Sequence, residues 1–194
     1  MKKKEQSNTD KILAGVVRDS DALKTFLTYI AYNEADDLRL ELEGFAKEGN
    51  VKTELEALPP SWPKIMEVLN NNICPISMEG RPSGGAAYIS KKKTIFIDPE
   101  KSLNEIMQSF AFELALAYLD SSEEKYSRQK DAFAAKCISY IIGLRTHTVE
   151  EDRFYLHVPE HLSGNSAEEF LCRVMMISNK IAGPNNKDLS ERKK

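Results

Sequence analysis

The sequence predicts an α+β protein in which helices dominate and pack around a small sheet. Three observations predict it. Segments with apolar residues at helical spacing occupy both ends of the chain. A central stretch, "AAYISKKKTIFIDP", has two extended runs around a cluster of lysines. Soon after it comes "QSFAFELALAYL" at Gln108–Leu119, a helix apolar on nearly every side that still carries Glu113 at its centre.

The start of the chain reads as a polar arm. Its one apolar run, "ILAGVV", stops at Arg18 and Asp19 and is too short for a signal-peptide core. Asp19 or Ser20 then caps a helix with the stripe Leu23, Phe26, Leu27 and Ile30. "ADDLRLELEGFAKEGN" is a second helix, closed by Gly49. From Asp19 to Pro60 ten acids face four bases, a local net charge of -6. A solvated outer face explains this most simply. The sharper reading is an acidic surface for a basic partner.

The prolines of "LPPSWP" at Leu58–Pro63 break helix and strand alike and mark a boundary. They divide an arm and acidic helical segment, 1–60, from a core domain, 61–184, which a basic disordered tail follows at 185–194. Ser61 caps "WPKIMEVLNNN", with Pro63 in the first turn. "ICPISM" is a short strand, "GRPSGG" a loop, and "AAYISKKKTIFIDP" a hairpin with its tip at Lys91–Lys93. Ser102 and Glu105 form a capping box for the helix that contains Glu113. A long helix follows over about Glu123–Leu144, then a short helix and a turn at Pro159. The last helix is expected to have a box at Ser166 and Glu169, the stripe Phe170, Val174, Ile177 and Ile181, and an end at Gly183-Pro184.

Several function classes are excluded or disfavoured. The net charge of -3 supplies no general basic field, so nucleic-acid binding must rest on a local patch. No apolar run reaches the roughly 18 residues of a membrane span. Cys74, Cys137 and Cys172 are scattered and odd in number, as reduced thiols in a cytoplasmic protein are. No GxSxG or phosphate-loop pattern occurs. His157 and His161 have metal-pair spacing, but Pro159 between them spoils the helix it needs. His147 with Glu150, Glu151 and Asp152 is a solvated helix start.

A carboxylate inside an apolar helix is costly unless it is paired. Arg128, Arg145 and Lys136 are the candidate partners of Glu113.

The order of strand, hairpin, E-L-A-x-A-x-L helix and F-A-A helix resembles the ImmA/IrrE–ArdC group of zincin-type metallopeptidases. It is most similar to the C-terminal domain of ArdC-type antirestriction proteins of mobile elements. The resemblance covers about Ser61–Ala182 and is carried by "GGAAYISKKKTIFIDPEKS", "DAFAAKCISYIIGL" and "FYLHVPEHLSGNSAEEFLCRVMMISNKI". It implies a zincin-like core whose central helix holds zinc through two histidines four apart, next to a glutamate that polarises the zinc-bound water. Here those two positions are Phe112 and Leu116, and the glutamate is Glu113. Of the stretch where a third ligand is expected, Arg128–Phe133, only Asp131 is able to bind a metal.

The resemblance therefore implies a pseudo-enzyme with no metal and no cofactor. Such a protein is expected to act against a host restriction or CRISPR system by binding one of its proteins. A peptidase with atypical ligands is the first alternative. A nucleic-acid-binding module using Arg81, Lys91, Lys92 and Lys93 is the second.

Overall fold

The hairpin forms where two β-rich runs flank the lysines. The computed structural model describes residues 7–33, 37–48, 59–122, 125–149 and 154–183. Strands β2 (Ala86–Ile89) and β3 (Thr94–Ile97) pair antiparallel, with Ala86 opposite Ile97 and Ile89 opposite Thr94. A 3-10 turn at Ser90–Lys92 joins them, followed by Lys93 in the left-handed region at φ +47°. The two-residue β1 (Ile76–Ser77) lies parallel on the far side of β3, giving the order β1-β3-β2.

Strand alternation sets what the sheet covers. Ala86, Tyr88, Ile95 and Ile97 are buried. They turn toward α5 (Leu103–Ser122), which packs on β2 and β3. Gly85, at φ +93°, permits this approach: a Cβ there would stand 3.2 Å from the Glu105 carbonyl. The helix opens on the expected box. The Ser102 N–H donates to the Glu105 carboxylate at 3.0 Å, and the Glu105 N–H to Ser102 Oγ at 3.4 Å.

Helix α6 (Arg128–Thr146) is the hub of the helical layer. The helices α2 (Ser20–Tyr32), α4 (Trp62–Asn70), α5 and α7 (Gly164–Ile181) all pack against it. Arg145, near the end of α6, is buried. Its Nε donates to the Ala31 carbonyl at 3.1 Å, and its Nη2 to the Ile30 carbonyl at 3.1 Å and to Asn179 Oδ1 at 3.0 Å. Nη1 donates to the Ala182 carbonyl at 2.5 Å. One guanidinium thus satisfies carbonyls at the ends of both α2 and α7. Arg145 is therefore not the partner of Glu113.

Four features depart from the sequence reading. The polar arm contains a helix, α1 (Asn8–Val16), capped reciprocally by Ser7 and Asp10. Of its apolar residues Leu13 and Val16 are buried and Ile12 partly so, and α1 packs on α7 and on α3 (Leu38–Glu48). The helix expected from Glu123 starts at Arg128, because Asp131 accepts the Ser127 N–H at 3.0 Å and fixes the first turn there. No short helix forms in 154–159. That stretch is irregular, with the Phe154 ring stacked 4.5 Å from Tyr140. The last helix is capped at Ser163 with Ser166, whose Oγ accepts the Ser163 N–H at 3.2 Å, and not by a Ser166–Glu169 box.

Helices α1 to α3 share one apolar core with the rest. Phe45 of α3 packs edge-on against Phe26 and Tyr29 of α2 at 5.3 and 5.4 Å. Asp19 caps α2 as expected, accepting the Ala22 N–H at 2.8 Å. No helix among the described residues is long and apolar enough to cross a membrane. The basic ends, Gly49, Glu150, Glu151, Asp152, Pro184 and the tail 185–194 lie outside the described residues.

Candidate functional site

Glu113 is buried at the middle of α5, where the helix meets both β2 and α6. Its Oε2 accepts the Tyr88 backbone N–H at 2.7 Å. Arg128, the first residue of α6, closes on the same carboxylate: Nη2 lies 2.5 Å from Oε1 and Nη1 2.8 Å from Oε2. This two-pronged fork is the strongest geometry available to such a pair. Nη1 also reaches the Tyr88 carbonyl at 3.5 Å. Of the three candidate partners, the structure selects Arg128. Its bond to Glu113 raises the guanidinium further above its usual pKa.

Residues 112 and 116 follow different courses. Leu116 is wholly buried, while Phe112 is half-buried with the Arg128 guanidinium 5.7 Å from its ring centre. Arg128 thus covers Phe112 by a cation–π contact as it pairs with Glu113. Asp131 sits one turn along α6 but engages other partners. It is buried and accepts from the Ser127 N–H, and Arg173 of α7 reaches it at 3.2 Å.

The metal that the resemblance implies does not fit these residues. Phe112 and Leu116 carry no donor atoms, and Glu113 and Asp131 hold separate arginines. Among the described residues no three His, Cys, Asp or Glu side chains are grouped to hold an ion. His157 precedes the turn at Glu160–His161, so the two histidines share no helix.

A second polar cluster lies at the end of α5. Asp120 is seven residues beyond Glu113, two helical turns, and so on the same face. Its Oδ2 accepts from Tyr88 Oη at 2.7 Å and Ser90 Oγ at 2.5 Å, and Lys93 Nζ lies 2.8 Å away. Burial pushes the Asp120 pKa up, but the bonds from Lys93, Ser90 and Tyr88 together bring it below the usual carboxylate value. Burial, and then the bond to Asp120, drive the Tyr88 hydroxyl well above an ordinary tyrosine. The sequence reading did not single out Asp120, although its spacing from Glu113 was a readable signal.

The interaction candidates separate. Lys93 is tied to Asp120, and Lys92 lies over the Phe96 ring at 5.2 Å, while Lys91 is exposed. Arg81 sits at the opposite end of the hairpin, in an exposed pair with Glu100 at 2.8 Å. The structure does not bring Arg81 to the lysine tip.

Comparison of the chain with protein-family models, with curated proteins and with solved structures finds no match.

Proposed function

We propose that this chain is a non-catalytic anti-defence protein of a mobile genetic element, of the antirestriction or anti-CRISPR type. It binds a host defence protein in the cytoplasm through a pseudo-metallopeptidase scaffold. The observation that carries the reading is the state of Glu113. A hydrolytic glutamate must present its carboxylate to a metal-bound water. Glu113 instead spends both oxygens on Arg128 and the Tyr88 N–H, beside an apolar residue at each former ligand position. That is a structural anion joining strand to helices. The excess of acids over bases in the sequence from Asp19 to Pro60, a local net charge of -6, suits a partner whose own surface is basic, as DNA-handling enzymes are.

The test is transfer of unmodified plasmid into restriction- and CRISPR-bearing hosts that express the chain, with affinity capture from the same cells. Protection together with a recovered defence component supports the reading. No protection and no such component would sink it. Metal analysis of protein purified without added metal is a second check: one zinc per chain would overturn the pseudo-enzyme and restore the peptidase alternative.

A further inference from the structure

Basic residues that the sequence spreads over 91–130 meet at one end of the molecule. The hairpin tip is fastened to the end of α5 by Lys93 and Ser90 on Asp120. The start of α6 is fastened to the same hairpin by Arg128 on Glu113 and on the Tyr88 carbonyl. Lys91, Lys92 and Lys93 from the tip therefore share a crest with Lys125, Arg128 and Lys130 from the approach and first turn of α6. All six are exposed. The acids that come from beneath, Asp120 and Glu113, keep only 8% and 6% of their side-chain surface in solvent. Lys91, Lys125 and Lys130 have no acidic partner among the described residues.

Two local rules are broken on this crest. A lysine takes the left-handed conformation at φ +47°, where glycine or asparagine is the easy choice. The first turn of α6 carries Arg128 and Lys130 beside Asp131, although a helix start favours acids over bases. Both departures cost stability and both add positive charge to the same surface. Departures of this kind cluster where function outweighs folding. The tip is also held in place: Lys93 and Ser90 are anchored on Asp120, and Lys92 rests on Phe96.

The geometry points to a nucleic-acid-binding crest, formed by the hairpin tip and the start of α6, that engages the phosphate backbone without reading sequence. Point charges spread over two elements suit a repeating line of phosphates. The half-buried Tyr126 beside Arg128 offers an aromatic edge to an unpaired base. This goes beyond the anti-defence reading and stands without it.

The experiment is fluorescence anisotropy of a labelled 20-mer, single- and double-stranded, with the full chain between 50 and 200 mM salt. Binding should weaken with salt at a slope of about -0.9 per phosphate on duplex. Replacing Lys91, Lys92, Lys125 and Lys130 by Gln should weaken binding at least tenfold and flatten the duplex slope by about 3.6 if each lysine meets one phosphate. The double variants Lys91→Gln/Lys92→Gln and Lys125→Gln/Lys130→Gln should each give about half of that loss, which keeps the test decisive if the fourfold variant folds poorly. No binding at 50 mM salt, or unchanged binding by the double variants, overturns the proposal. If poly-glutamate competes as well as unlabelled DNA, the crest is a dock for an acidic protein and the nucleic-acid assignment falls.

Discussion

Arg128 holds Glu113 through two parallel hydrogen bonds, 2.5 and 2.8 Å long, across the junction of α5, α6 and β2. The carboxylate is buried while the guanidinium side chain is half exposed. The pair is therefore asymmetric: losing Arg128 strands a buried anion, whereas losing Glu113 frees an arginine that water can solvate. We expect Arg128→Met to destabilise the chain by about 2 kcal/mol. Glu113→Gln should cost less, because its amide oxygen still accepts the Tyr88 N–H. The double variant should be less damaged than the sum of the two, with a coupling of about 1–2 kcal/mol. Urea unfolding of all four proteins measures it, and simple additivity would show that the fork contributes nothing.

Phe112 and Leu116 should respond unequally. Leu116 has no solvent exposure, so Leu116→Ala leaves a cavity and should cost about 3 kcal/mol. Phe112 is half-buried beneath Arg128, so Phe112→Ala should cost nearer 1–2 kcal/mol. Thermal melts compare them directly. Equal effects would mean that the Phe112 ring is packed more deeply than its place under Arg128 indicates.

These contrasts show what was legible in the sequence. Short-range devices were: the Ser102–Glu105 box, the Asp19 cap and the hairpin depend on residues within a few positions of one another. The need for a partner to Glu113 followed from desolvation alone. Its identity did not, because Arg128, Arg145 and Lys136 all lie on α6, and only the packing of that helix decides which faces α5. Helix α1 was hidden because its apolar run is short and follows a polar start, so it shows no extended stripe, and it relies on α3 and α7 for cover. The start of α6 was misplaced because a side chain four residues on, Asp131, fixes it at Ser127.

Arg145 should be the least replaceable charged residue. Its guanidinium answers three backbone carbonyls and an amide at the ends of α2 and α7. Burial lowers its pKa to about 10, still far above neutrality, so it remains charged. Arg145→Met leaves those carbonyls without donors in a dry place, at a cost of about 3 kcal/mol or more. Arg145→Lys should recover only part, since one ammonium cannot span the same fork of acceptors. Stability curves of both variants check this, and a lysine variant as stable as the parent would refute the role.

The Asp120 cluster predicts how stability responds to acid. Its carboxyl titrates lower in the folded chain than in the unfolded one, held down by Lys93, Ser90 and Tyr88 against the opposing pull of burial. A depressed carboxyl contributes stability above its unfolded value, near pH 4, and loses that contribution as pH falls through its folded value. Ser90→Ala and Lys93→Ala each remove a group that lowers the Asp120 pKa, so the depression shrinks. The parent should then lead either variant by a constant margin from pH 5 to 8, and the margin should narrow below pH 4. Lys93→Gly separates two effects at one position. It relieves the left-handed backbone at φ +47° while removing the ammonium, so it should be more stable than Lys93→Ala at every pH yet share its shallower acid limb. Equilibrium unfolding from pH 3 to 8 reads both quantities, and parallel curves for parent and variants would show that Asp120 is not the group that sets the acid limb.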